Sequence, residues 1–266
     1  SLVLVGGEPG IGKSTLFLQT LANLARSGHK CLYVTGEESL RQVKLRAQRV
    51  GAVEENLFVV AETGIEQILA HLERVSPEFA VIDSIQTLYN ATSSSAPGSV
   101  TQIRDCASKI NAFAKANGVG TFLIGHVTKE GALAGPRVLE HMVDTVLYFE
   151  GSGGYRILRA VKNRFGSTNE IGVFEMLGSG VGEVNDFSAV FLEGRGQNVP
   201  GSCVFCALTG ARPVLVEIQA LVAKSAFQNP RRVSTGLDYN RSMLIAAVLE
   251  KRTGLKLYDQ DIYLNA

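Results

Sequence analysis

The chain has 266 residues, 45% of them hydrophobic and 19% charged, which suits a folded globular protein of one large or two modest domains. Its net charge of +1 at pH 7 excludes a global basic field, so any nucleic-acid contact must be local, on particular loops. No apolar run approaches ~18 residues, and no leader precedes the first strand, so no membrane span and a cytoplasmic location are expected.

Leu2–Gly6 reads as a strand, and an amphipathic helix follows over Lys13–Ser27. Between them lies GGEPGIGKST, which fits G-x-x-x-x-G-K-[ST] with Gly7, Gly12, Lys13 and Ser14 in the fixed places. Residues Gly7, Glu8, Pro9, Gly10, Ile11, Gly12, Lys13, Ser14 and Thr15 are the expected nucleotide-binding set. The glycines let main-chain N–H groups converge on a phosphate, and the helix start adds its positive dipole end. Lys13 is expected to reach the β- and γ-phosphates, and the Ser14 hydroxyl to ligate Mg²⁺. The chain is therefore expected to bind ATP or ADP with Mg²⁺.

Cys31–Thr35 is a second strand, and Ser39 caps a helix running to about Val50. The strand ends in Thr35-Gly36-Glu37-Glu38-Ser39. Hydrolysis needs a group that positions the attacking water, and Glu37 is preferred over Glu38, which sits where it favours the next helix N-terminus. Strands at Leu57–Val60 and Phe79–Ile82 flank a helix over Gly64–Val75. The apolar run ending in Val81-Ile82-Asp83 places Asp83 at the carboxyl edge of the sheet, as a Mg²⁺-holding carboxylate. A Ser-rich loop, Asn90–Ser99, precedes a helix over Val100–Asn117, whose Val100, Ile103, Ala107, Ile110 and Ala114 share a face.

Thr121–Ile124, a fifth strand, ends at Gly125-His126, where His126 can sense the γ-phosphate. The Gly-rich segment Thr128–Arg137 carries Lys129 and Arg137 and suits a loop that orders on nucleic acid. Short apolar strands alternating with helices imply a parallel sheet covered on both faces. Thr145–Glu150, Tyr155–Val161 and Ile171–Glu175 then read as antiparallel additions at the sheet edge. The densest basic stretch, Arg156–Gly166, places Lys162 and Arg164 at a strand end, as ligands for DNA phosphates or for a neighbouring subunit's ATP. Composition shifts again near Ser188–Asn198. Two strands near Cys203–Leu208 and Val214–Leu221 and a helix over Arg241–Arg252 form a second, smaller domain. All four cysteines, Cys31, Cys106, Cys203 and Cys206, read as buried thiols. Ser1 opens directly before a strand and the last residues are strand-like, so a piece of something longer is expected.

The segments GEPGIGKSTL, TGEES, VIDSIQTL, TSSSAPGSV, GHVTKEGALAGP and VKNRFGSTNEIGVFEM together resemble the RadA (Sms) family of bacterial DNA-repair and recombination proteins. The likeness runs through most of residues 1–190, and the KNRFG run is specific to that family. The resemblance implies an α/β fold: a RecA-like P-loop ATPase core over residues 1–187, then a partial Lon-protease-like domain of the ribosomal S5 fold over 188–266. It also implies an ATP-hydrolysing motor or helicase, related to DnaB-type rings, that assembles as a hexamer. Such a ring acts on single-stranded and branched DNA alongside the RecA recombinase and promotes branch migration. Lys13, Ser14, Asp83 and Glu37 take the Walker A, Walker B and catalytic-glutamate roles, and Lys162 and Arg164 the KNRFG roles. The family's four-cysteine zinc module is not present in this chain, nor is a Gly-Pro-Ser-Ala-Gly-type protease nucleophile. A RecA-like ATP-binding scaffold or regulatory ATPase without motor activity is the alternative reading.

Overall fold

The protein is described from a computed structural model covering residues 1–96, 98–126, 136–152, 154–184, 188, 192, 199–209 and 212–266; for residues 136, 137, 152, 209 and 212 it describes the backbone alone. The chain divides into two compact units, Ser1–Val184 and Asn185–Ala266, three residues ahead of the boundary expected from sequence.

The first unit alternates β1 (Leu2–Gly7), α1 (Lys13–Arg26), β2 (Cys31–Thr35), α2 (Leu40–Arg49), β3 (Leu57–Ala61), α3 (Ile65–Val75), β4 (Phe79–Asp83), α4 (Val100–Asn117) and β5 (Gly120–Ile124). A 3-10 turn, Ile85–Thr87, follows β4, and a four-residue helix α5 (Pro136–Leu139) precedes β6 (Thr145–Ser152). Then come β7 (Tyr155–Asn163), β8 (Ile171–Leu177) and β9 (Gly180–Glu183). Among the described residues the nine strands form one sheet in the order β3-β2-β4-β5-β1-β6-β7-β8-β9. The strands from β3 to β6 run parallel, and β7, β8 and β9 are antiparallel. One expectation is thereby corrected: Thr145–Glu150 is not an antiparallel addition but a parallel neighbour of β1, with Val3 opposite Thr145.

Alternation along each strand divides the core between the two faces. Leu2, Leu4, Leu32, Val34, Ala80 and Ile82 face a layer built with Ile65, Ile68 and Leu72 of α3 and Ile103, Ala107 and Ile110 of α4. Val5, Cys31, Tyr33 and Val81 face Phe17, Leu18 and Leu21 of α1 and Val43 and Ala47 of α2. Two of this unit's helices, α2 and α4, start where a side chain closes them. Ser39 accepts from Gln42 N in a capping box, and Ser99 accepts from Gln102 N. The Ser-rich segment before α4 is held through Gln102, whose amide pairs with Asn90 N, Asn90 O and Ser95 O.

The second unit contains β10 (Ser202–Thr209), β11 (Arg212–Lys224), β12 (Arg232–Thr235), α6 (Tyr239–Thr253) and β13 (Gln260–Asn265). Its four described strands are ordered β10-β11-β13-β12, with β12 and β13 parallel across the α6 crossover. Cys31 and Cys106 are buried as expected, but Cys203 and Cys206 are exposed. β10 is an edge strand of this sheet, and its apolar alternation does not bring burial: Phe205 and Leu208 on it are also exposed.

Candidate nucleotide site

β1 delivers the chain to the carboxyl edge of the sheet, and the next residues curl into a cradle. A Cβ on Gly7 would meet the Phe149 carbonyl at 2.4 Å, so only glycine lets β1 and β6 approach here. Gly12 has φ 110°, the left-handed region, and leads directly into α1. Lys13 is 3% exposed, and its Nζ donates to the carbonyls of Gly7 and Glu8, both at 2.8 Å. Burial lowers the Lys13 pKa to about 8, against the opposing pull of Asp83 and Glu37. Ser14 is half-buried and Thr15 buried, both in the first turn of α1.

Three neighbouring strands bring the other polar groups to the same edge. Lys13 Nζ lies 3.3 Å from Nδ1 of His126, just beyond β5, and His126 Nε2 lies 3.0 Å from Glu37 Oε1, beyond β2. Lysine is only a donor, so Nδ1 accepts and the Nε2–H is left to donate to the carboxylate. Ser84, fully buried after β4, donates to the same Glu37 oxygen at 2.5 Å. Burial would raise the Glu37 carboxyl. The hydrogen bonds from Ser84 and His126, with the nearby charge of Lys13, outweigh it and hold Glu37 below the usual carboxylate range. Glu38 turns away and is paired with Arg46. Its N–H is held by Thr35 Oγ1. The two adjacent acids are therefore separated by their partners: Glu37 faces the cradle and Glu38 braces α2.

Asp83, 5% exposed, ends β4 beside Thr35 of β2 and accepts from the Tyr33 hydroxyl at 2.5 Å. Burial and the neighbouring Asp83 push the Tyr33 pKa well above its ordinary value, so Tyr33 stays a donor. A Mg²⁺ ion fits this donor set. The Ser14 hydroxyl and the Asp83 carboxylate are oxygen ligands, which suit a hard cation that keeps much of its water. Among the described residues no cluster of three His, Cys, Asp or Glu side chains is arranged to hold a metal by itself.

Lys162 and Arg164 are elsewhere. Lys162 is opposite Val146, and Asn163 opposite Thr145, at the amino-terminal end of β6. The six-residue β1 separates that edge from the cradle, a span of roughly 20 Å at ~3.3 Å per residue. Lys162 Nζ donates to the carbonyls of Glu140 (2.6 Å) and Val143 (2.8 Å). Arg164 Nη1 is 3.3 Å from Asp144 Oδ1, and the other Asp144 oxygen accepts Leu2 N. These two cations do not enter the nucleotide cradle of their own subunit. Lys129 and the Arg137 side chain lie outside the described residues.

Sequence reasoning did not find Ser84, Tyr33 or Gln86, whose Nε2 donates to His126 O at 3.2 Å. The residues after Asp83 carried the only available signal, since a polar pair at a strand tip next to a phosphate loop is a place for ligand-facing groups.

A family model described as an AAA domain matches residues 1–132. The DNA repair protein RadA of Listeria monocytogenes is 57% identical over 268 residues, covering 100% of this chain and 59% of the relative. The chain belongs to the RadA family. The RadA proteins of Bacillus subtilis (55% identical, 99% of this chain, 58% of the relative) and Pseudomonas aeruginosa (56%, 100%, 59%) tell the same story. This RadA-family chain thus spans about three-fifths of the length of the curated relatives it matches. Two solved structures share its fold. A KaiC-like protein from Pyrococcus horikoshii OT3 has a TM-score of 0.57 at 21% identity, over 69% of this chain and 89% of that one. A second, solved as an isolated ATPase domain, has a TM-score of 0.59 at 13% identity, over 69% and 84%. The first unit is a RecA-like P-loop ATPase fold.

Proposed function

We propose that this chain is the ATPase part of a motor that works on single-stranded and branched DNA in homologous recombination and repair. One observation carries the reading: Lys13, His126, Glu37 and Ser84 are joined by hydrogen bonds across four separate strand ends. A phosphate-binding lysine tied through an imidazole to an ionised, partly exposed carboxylate is an arrangement for hydrolysis rather than for binding alone.

The residues act as follows. Gly7–Thr15 wraps the phosphates with main-chain N–H groups, and Lys13 leaves the Gly7 and Glu8 carbonyls for the β- and γ-phosphates. Ser14 and Asp83 would hold Mg²⁺, which supplies charge neutralisation on the phosphoryl oxygens. Glu37, kept ionised, orients the attacking water and accepts its proton. His126 reports whether a γ-phosphate is present, because Lys13 cannot serve both partners in full. Gln86, bonded to the His126 carbonyl, carries that state toward the segment after β4.

Lys162 and Arg164 are proposed to act in trans, on a neighbour's ATP or on DNA; their place at the far edge of the sheet supports this. Lys129 and Arg137 are proposed as DNA-contacting loop residues. A homohexameric ring, the RecA recombinase as partner and a cytoplasmic location complete the proposal. The β12–α6–β13 crossover supports reading the second unit as a non-proteolytic Lon-like, S5-fold part. The test is Lys13→Ala, which should abolish both ATP hydrolysis and unwinding of forked DNA. A variant that hydrolyses no ATP yet still unwinds would end the motor reading.

A further inference from the structure

We infer that Met176, at the tip of β8, is the platform on which the nucleobase of the bound nucleotide rests. The inference deepens the phosphate-loop reading above and rests on it.

The groups poised for hydrolysis occupy one flank of the cradle. Glu37, Ser84 and His126 come from the ends of β2, β4 and β5, all on one side of β1 in the sheet order. The γ-phosphate must lie on that flank, so the nucleoside end of the same molecule must leave by the other. On that other side of β1 the sheet continues through β6, β7, β8 and β9. There the β8–β9 turn approaches the cradle itself: Met176 Sδ lies 3.1 Å, and its Cε 3.4 Å, from where a Gly12 Cβ would stand. Met176 is nonetheless 42% exposed, so this apolar side chain sits beside the phosphate loop with a free face.

The turn is fixed in place rather than draped. Met176 pairs with Val181 across the hairpin. The Gln19 side chain of α1 accepts from Val181 N at 2.8 Å and donates to Val181 O at 3.4 Å. α1 begins at Lys13 in the cradle, so the helix that receives the phosphates also sets the height of Met176. From behind, Phe149 reaches within 3.7 Å of the same Gly12 position and packs edge-to-face on Phe174 at 6.0 Å. Phe174 and Met176, two apart on β8, share a strand face. A polarisable thioether backed by aromatic rings is a suitable surface for the π-face of a purine or pyrimidine.

The experiment measures binding of ATP and of inorganic tripolyphosphate, each with Mg²⁺, to the 266-residue chain and to Met176→Ser and Met176→Leu. Tripolyphosphate carries the phosphates without a base. The expected result is roughly a five- to ten-fold loss of ATP affinity in Met176→Ser, no change for tripolyphosphate, and near-wild-type ATP binding in Met176→Leu. Equal losses for both ligands, or no loss for ATP, overturn the platform and leave the phosphate loop standing. An unaltered chain that binds neither ligand overturns the phosphate-loop reading and the platform together.

Discussion

Glu37 sits between two donors, and removing one of them isolates what it contributes. A hydrogen bond to a charged acceptor is worth about 1.5–3 kcal/mol. Ser84→Ala should therefore lower the turnover rate of ATP hydrolysis roughly ten- to hundred-fold while leaving ATP affinity unchanged. In a Glu37→Gln background the same change should cost little more, because the two residues act as one unit. Full additivity in the hydrolysis assay would show that Ser84 serves the fold and not Glu37. The cysteines give a second prediction. Burial raises the Cys31 and Cys106 thiols to about 11 each. A folded-state pKa above the unfolded value stabilises below the unfolded pKa and is lost as pH rises, so the fold should weaken between about pH 9 and 11. Alkylation of the native chain near pH 8, read by mass spectrometry, should label Cys203 and Cys206 and spare Cys31 and Cys106. Early labelling of Cys106 would contradict its place in the core. Glu37 and Asp83 were legible because each ends an apolar strand run next to a phosphate loop. His126 was legible by position, but its bridging of Lys13 to Glu37 was not, since residues 13, 37 and 126 meet only through the parallel strand order. Met176 lies far along the chain from Gly12, too far for any local pattern to connect them.

The elements of the sheet decide which cations belong to which task. Lys162 gives its charge to two carbonyls of its own chain, at Glu140 and Val143, in a partly buried setting. Lys162→Ala strands those acceptors and should cost about 1–3 kcal/mol. Arg164 is half-exposed and holds Asp144 at 3.3 Å, so Arg164→Ala should cost under about 1 kcal/mol. Thermal or urea unfolding of the two variants distinguishes them; equal losses would refute the assignment of Lys162 as an anchor of the segment entering β6. Both variants should bind nucleotide normally as isolated subunits, because neither residue reaches its own cradle. β1 to β5 and their helices could be read from the chain because the apolar runs and helical periods are clear, and Ser39 and Ser99 mark two of the helix starts. The parallel pairing of β6 could not. It depends on what precedes the strand, and the four-residue α5 is too short to show a helical period. β10 misled for the opposite reason: its apolar run matched a buried strand, yet it lies at a sheet edge with Cys203 and Cys206 exposed.

At the scale of the whole molecule, the cradle and the KNRFG run lie at opposite strand ends of one mixed sheet. If Lys162 and Arg164 act in trans as proposed, copies arranged head to tail would bring the KNRFG end of one subunit to the cradle of the next, the geometry that closes into rings. The near-neutral net charge of +1 fits the same scheme. A ring that encircles DNA needs basic groups along its lumen, not a global positive field. The most direct test of the account is the rate of ATP hydrolysis with and without single-stranded DNA, at about 50 mM and about 200 mM salt. The account predicts that DNA accelerates hydrolysis at the lower salt, that the acceleration fades steeply at the higher salt, and that Arg164→Ala loses it while retaining ATP binding. A rate that is the same with and without DNA at both salt concentrations, in an assembled ring, would contradict the DNA motor and favour an ATP-binding scaffold.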